Sequence, residues 1–192
     1  MSTIVDGIGA FGERIRARRQ SRGWSLERLA GESGVSRAMI SKVERGESSP
    51  TAVVLGKLSA ALELTMSELL AGAGPDAPAA GAAATVRRSA DTPLWRDPDT
   101  GYGRRQVSTA RFPVDVTEVT LPPGARVPYP AGSYAFIAQL VWVQSGELTL
   151  IDGPAAHVLA AGDTFELGAP QPREFRNEGA ADCRYVVVVA RV

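Results

Sequence analysis

Hydrophobic positions in the first part of the chain recur at helical spacing. Ile8, Phe11 and Ile15 fall at i, i+3 and i+7. Leu26, Leu29 and Ala30 follow, then Val35, Ile40 and Val43, then Val54, Leu55, Leu58 and Leu62, and lastly Met66, Leu69 and Leu70. Residues three and four apart share one face of a helix, so each group reads as one buried stripe. Residues able to cap a helix stand ahead of the later groups: Ser25, Ser36, the run Ser49-Pro50-Thr51, and Thr65. Their side-chain oxygens can accept from the free N–H groups of a first turn. Gly23, Gly34 and Gly46 fall in the gaps. The pattern predicts five short helices.

Further along, the period drops to two. Alternating runs occupy Asp115–Leu121, Gln139–Val143, Glu147–Ile151, Thr164–Leu167 and Arg184–Arg191. Between them stand turn signals: Pro122-Pro123-Gly124, Ser145-Gly146, Asp152-Gly153, Gly162-Asp163 and Asn177-Glu178-Gly179. Short strands at even spacing predict a β-sandwich or barrel. Between the two regimes lies Ala71 to Ala84, AGAGPDAPAAGAAA, which has no side chain able to anchor a core. A flexible coil of about 20 residues spans about 25 Å, so the flanking parts are expected to move relative to each other. The expected domains are 1–71 (helical), 72–92 (an Ala/Gly linker) and 93–192 (β).

Composition adds little until charge is placed along the chain. The 192 residues hold 21 basic and 21 acidic side chains. From Arg14 to Arg45, however, nine basic residues face three acidic ones, and a local basic excess attracts polyanions whatever the total charge. Cys183 is the single cysteine, which rules out an intrachain disulfide and fits a reducing cytoplasm. The longest apolar run, Tyr185 to Ala190, is strand-sized, far below the ~20 residues of a membrane helix. Met1 to Gly12 lack the basic start and apolar stretch of a secretion signal. A cytoplasmic location without a membrane partner is expected.

The segment from Ser25 to Thr51, SLERLAGESGVSRAMISKVERGESSPT, carries the strongest signal. One helix ends at Gly34, a second opens at Ser36, and inward Ile40 and Val43 leave Arg37, Ala38, Ser41 and Lys42 on the other side. With Leu29-Ala30, the turn Gly34-Val35-Ser36, and Ile40 to Gly46 followed by Pro50, this resembles the phage-repressor and Cro-like helix-turn-helix family, often called XRE-type. The likeness covers about Ile8 to Ala71. It implies a five-helix, lambda-repressor-like domain that binds a double-stranded DNA operator.

The major groove admits one α-helix, whose exposed residues near the N-terminus meet base edges. Arg37 suits a guanine, Ala38 a thymine methyl, and Lys42 a guanine or a phosphate. Ser36 and Ser41 complete the recognition helix, and Arg45 and Ser48 fall where the resemblance implies phosphate contacts. Arg16, Arg18, Arg19 and Arg22 read either as a solvated face or, for Arg19, as the family's tie to the acid at Glu44. Trp24 reads as core beside the Ser25 cap.

The second half, from about Pro122 to Val192, resembles a cupin, a double-stranded β-helix or jelly roll. The likeness rests on Pro123-Gly124, Trp142 to Leu148, Ala161-Gly162-Asp163 and Pro172 to Asn177. Fold class is therefore an α plus all-β two-domain chain. Metal-holding cupins use several His and one Glu. The resemblance puts Gln139 at the Glu position and Arg173 at a His position, and Pro128 to Ala135 contains no His. An amide and a guanidinium are poor ligands, so no metal, no cofactor and no catalytic residue are expected.

His157, the one histidine, reads as an ordinary strand-edge residue and Cys183 as a small buried hydrophobe. Tyr129, Tyr134, Phe136, Gln139, Trp142, Phe165 and Arg173 are candidate walls of an effector pocket, with Arg173 suggesting an anionic small molecule. The same aromatics could instead fill the barrel. A homodimeric transcriptional regulator is the leading expectation. The alternatives are a metal-independent cupin enzyme that keeps its helix-turn-helix, and an antitoxin-like protein-interaction module.

Overall fold

The computed structural model describes residues 5–70, 86–109 and 112–192, with side chains from residue 11 onward. Five helices come first: α1 (Val5–Ser21), α2 (Leu26–Ser33), α3 (Arg37–Glu44), α4 (Ala52–Leu62) and α5 (Met66–Leu70). Their starts follow from the expected caps. Ser25 Oγ accepts from Arg28 N at 3.1 Å, Ser36 Oγ from Met39 N at 3.2 Å, and Thr51 Oγ1 from Val54 N at 3.3 Å. At α5 Thr65 and Glu68 cap each other's backbone N–H, at 2.6 and 3.0 Å, the reciprocal capping box. Helix α2 stops at Gly34, whose φ of 65° is open to glycine at little cost. Phe11, Ile15, Leu29, Ile40, Val43, Leu55, Leu58, Leu62 and Leu69 make the helical core.

Ten strands follow: β1 (Leu94–Arg96), β2 (Gly103–Gln106), β3 (Asp115–Leu121), β4 (Arg126–Tyr129), β5 (Ile137–Ser145), β6 (Glu147–Asp152), β7 (Ala155–Ala160), β8 (Thr164–Glu166), β9 (Arg173–Arg176) and β10 (Cys183–Arg191). They form two antiparallel sheets, β1-β2-β3-β10-β5-β8 and β4-β9-β6-β7. Central β10 shows the alternation plainly, with Cys183, Tyr185, Val187 and Val189 buried. Tyr185 stacks on Phe175 of the facing sheet at 5.8 Å between ring centroids. Buried Asn177 ties off the end of β9, donating to the Leu121 and Ala181 carbonyls at 2.8 Å each.

The helical and β parts are docked on each other. Helix α4 lies over β4 and the 3-10 turn Ala131–Tyr134, and a Cβ on Gly56 would meet the Tyr129 ring at 2.9 Å. Ala52 N–H, at the start of α4, donates to Asp97 Oδ2 at 2.5 Å. Ser67 meets Thr117 at 3.0 Å, Thr65 donates to Asp115 at 3.2 Å, and Arg191 pairs with Glu68 at 2.6 Å. Most of the expected linker, 72–85, lies outside the described residues. Its remainder is held: Arg87 donates to the Ser108 carbonyl at 2.9 Å, and Ser89–Asp91 form a 3-10 turn. The freedom expected of the flanking parts therefore meets, in this structure, a docked interface of named bonds.

Candidate nucleic-acid interface and interdomain cavity

Helix α3 is fixed from below and bare above. Ile40 and Val43 are fully buried, whereas Ser36, Arg37, Ala38, Lys42 and Arg45 are exposed and Ser41 and Ser48 half-buried. Two charges on this face have acidic neighbours. Arg37 Nε lies 2.7 Å from Glu27 Oε1, with both side chains about two-thirds exposed (66% and 64%). Arg45 pairs with Glu47 at 2.5 Å and contacts Ser41 Oγ. Exposed pairs of this kind contribute little, so a phosphate or base can displace the acid. Glu27's own backbone N–H, then the Ser25 hydroxyl and the Arg37 charge, hold the Glu27 carboxyl below its ordinary value.

Arg16 is exposed on α1, but most of the arginines on and just after this helix are engaged. Arg19 grips Glu44 with two hydrogen bonds of 2.7 and 2.8 Å and donates to the Trp24 carbonyl at 2.8 Å. Arg18 and Arg22 donate to the Leu62 and Ala61 carbonyls, and Arg14 to the Leu69 carbonyl. Cations there satisfy the orphan carbonyls of α4 and α5 and complement their dipoles. Trp24 packs partly against the core with the Arg22 and Arg28 guanidiniums over its ring at 5.0 and 5.8 Å.

A cavity of about 40 Å³ lies between the two parts, walled by α4 and α5 on one side and by the barrel on the other. Three of the expected pocket residues line it: Tyr129, Tyr134 and Gln139. The other four do not. Trp142 is 46% exposed on β5, Phe165 packs against His157 at 4.7 Å, and Phe136 sits near Arg191. Arg173 is buried but already engaged. Its Nε donates to Asp152 at 2.6 Å, Nη2 donates to the Gly168 and Ala169 carbonyls at 3.2 and 3.0 Å, and the guanidinium lies 4.4 Å from the Tyr134 ring centroid.

Sequence reasoning missed Arg104 on β2. This side chain is 8% exposed, lines the cavity, and has no carboxylate partner among the described residues. Nη1 donates to Tyr102 Oη at 2.8 Å, and Tyr102 Oη lies 3.2 Å from Tyr129 Oη. Arg104 Nε and Tyr134 Oη are buried without a partner among the described residues. Asp115 senses the Arg104 charge but accepts its hydrogen bonds from Thr65 and Gln106 at 3.2 and 3.3 Å. Burial holds the phenols of Tyr129 and Tyr134 above the ordinary 10.0, so both stay neutral and can donate.

The metal site that cupins can carry does not fit this donor set. The Gln139 amide and the Asp152-bound Arg173 guanidinium are poor metal ligands, buried Arg104 would repel a cation, and the described residues hold no cluster of three His, Cys, Asp or Glu suited to a metal ion. Burial, then Glu147, pushes the Cys183 thiol up to about 11, which leaves it protonated and inert.

Comparison with known proteins agrees with this geometry. A helix-turn-helix family model matches residues 15–69 and a cupin-domain model residues 117–189. The HTH-type transcriptional regulator SutR of Escherichia coli (strain K12) is 46% identical over 56 residues, 29% of this chain and 32% of that protein. An uncharacterized HTH-type transcriptional regulator of Mycobacterium tuberculosis (strain ATCC 25618 / H37Rv) is 36% identical over 118 residues, 54% of this chain and 46% of that one. The chain thus spans a third to a half of the length of these relatives. An HTH_3 family transcriptional regulator from Vibrio cholerae superposes over 97% of both chains with a TM-score of 0.75 at 22% identity, which speaks to fold alone. The chain joins a helix-turn-helix domain of the XRE type to a cupin domain.

Proposed function

We propose that the chain is a sequence-specific DNA-binding transcriptional regulator, working as a cytoplasmic homodimer whose hold on its operator is set by a small molecule received beside the cupin barrel. One observation carries this reading: the α3 face with Ser36, Arg37, Ala38 and Lys42 is exposed, while Ile40 and Val43 beneath it are fully buried. A rigid helix end with free N–H groups and a guanidinium matches what a major groove offers. Ser41, Arg45 and Ser48 extend the surface toward the phosphates. Two such surfaces, related by a two-fold axis, would meet half-sites about 34 Å apart on duplex DNA. The barrel is read as non-catalytic, because the single histidine, His157, packs on Phe165 and the half-buried carboxylate Asp152 is held by Arg173.

Gel mobility shifts with a selected duplex test the surface. Arg37→Ala is expected to cost about 1–3 kcal/mol of operator affinity and to relax the preference at one base. Unchanged affinity together with unchanged base preference would refute the assignment.

A further inference from the structure

We infer that the cavity between α4–α5 and the barrel receives a small organic carboxylate, bound by Arg104 together with the hydroxyls of Tyr129 and Tyr134. The inference deepens the regulator reading by naming the effector's chemistry, and it rests on that reading for its consequence. Arg104 is a permanent cation, buried to 8% exposure with no ion-pair partner among the described residues. Burying a charge without a counter-charge is costly, so an uncompensated one lining a cavity asks for an anion.

Hydrogen-bond polarity points the same way. Tyr102 Oη accepts from Arg104 and lies 3.2 Å from Tyr129 Oη, where either hydroxyl can donate; with Tyr102 donating, the Tyr129 hydroxyl keeps its proton for an incoming acceptor. The Tyr134 hydroxyl and Arg104 Nε are unpartnered among the described residues. All three residues line the cavity, whose wall carries no carboxylate among the described residues: its side-chain acceptors are the Gln139 amide and neutral hydroxyls. One guanidinium balances a single negative charge. Leu64, Met66, Ile137 and Val187 also stand on the walls, so a carboxylate head would meet donors and a short tail would meet apolar side chains.

Arg173 had seemed the anion holder, but Asp152 already neutralises it. The occupant would touch Thr65 and Ser67 on the helical side and Arg104 on the barrel side. It would therefore bear on how the domains dock, and differential affinity for the two arrangements is what an effector requires.

Thermal unfolding of the full chain with sodium butyrate, its uncharged isostere butyramide, or inorganic phosphate tests this. Butyrate is expected to raise Tm saturably, by roughly 5–10 °C at a hundredfold excess over Kd. Butyramide should raise it little. Arg104→Met, which keeps the volume and removes the charge, is expected to weaken butyrate about a hundredfold while holding or raising the ligand-free Tm. Tyr134→Phe, which keeps the ring packing, should weaken it about fivefold.

Equal shifts from butyrate and butyramide, tighter binding of phosphate, or full butyrate binding by both variants would overturn the inference. Duplex binding by the unaltered chain is measured separately. A chain that binds duplex but not butyrate refutes this site alone. One that binds butyrate but no duplex keeps the site and refutes the regulator reading.

Discussion

Three guanidiniums, two buried and Arg19 nearly so, show what a partner changes. Arg19 meets Glu44 in a fork of two hydrogen bonds, with side chains only 11% and 7% exposed. Arg173 meets Asp152 and two carbonyls. Arg104 meets only a tyrosine hydroxyl. The first two position elements, and removing either guanidinium leaves a largely buried carboxylate alone. Arg19→Met is accordingly expected to cost about 2–4 kcal/mol in urea unfolding, because α1 and α3 lose their shared tie. A loss under 0.5 kcal/mol would contradict that role.

At this scale the sequence was readable where a familiar pattern supplied the partner, as for Arg19 and Glu44. It was not readable at Arg104. An arginine on the inward face of a four-residue strand breaks the hydrophobic alternation by which strands are recognised. Its neighbour Arg105, opposite Glu118, looks the same in sequence yet faces outward. Arg173, expected on a pocket wall as the holder of an anion, instead meets Asp152 of β6, 21 residues earlier in the chain, a pairing that only the strand register makes visible.

Among the elements, helices were more legible than strands. Helix starts are local events, set by Ser25, Ser36, Thr51 and Thr65, so each could be read within four residues of sequence. The strands expected at Asp115, Gln139, Glu147, Thr164 and Arg184 all form, with ends shifted by at most two residues. β1, β2 and β4 escaped notice because they are short or carry charged residues, and only pairing with a neighbour defines them, while β7 and β9 were marked only by His157 and by the run Pro172 to Asn177. The seat of α4 on the barrel was equally hidden, since it depends on Gly56 meeting Tyr129, 73 positions further along the chain.

That seat makes a prediction whose sign is informative. Ala normally stabilises a helix interior by about 1 kcal/mol relative to Gly. With the Tyr129 ring 2.9 Å from the added Cβ, Gly56→Ala is instead expected to destabilise by about 1–2 kcal/mol through overpacking. Stabilisation in urea unfolding would mean that α4 is not seated there in solution.

For the whole molecule, the two domains share an interface made of the Ala52 N–H bond to Asp97, the Ser67–Thr117 and Thr65–Asp115 pairs, and the Arg191–Glu68 ion pair. The interdomain cavity lies within this contact, so ligand binding and domain placement are one problem, and α3 presents its exposed face from the same helical unit. The central claim is that this face reads base sequence. Selection from a random pool of duplexes by the full-length chain tests it most directly. The account predicts that a short motif emerges and that binding weakens steeply with added salt. A pool that stays random, with no duplex retained even at low salt, would contradict it.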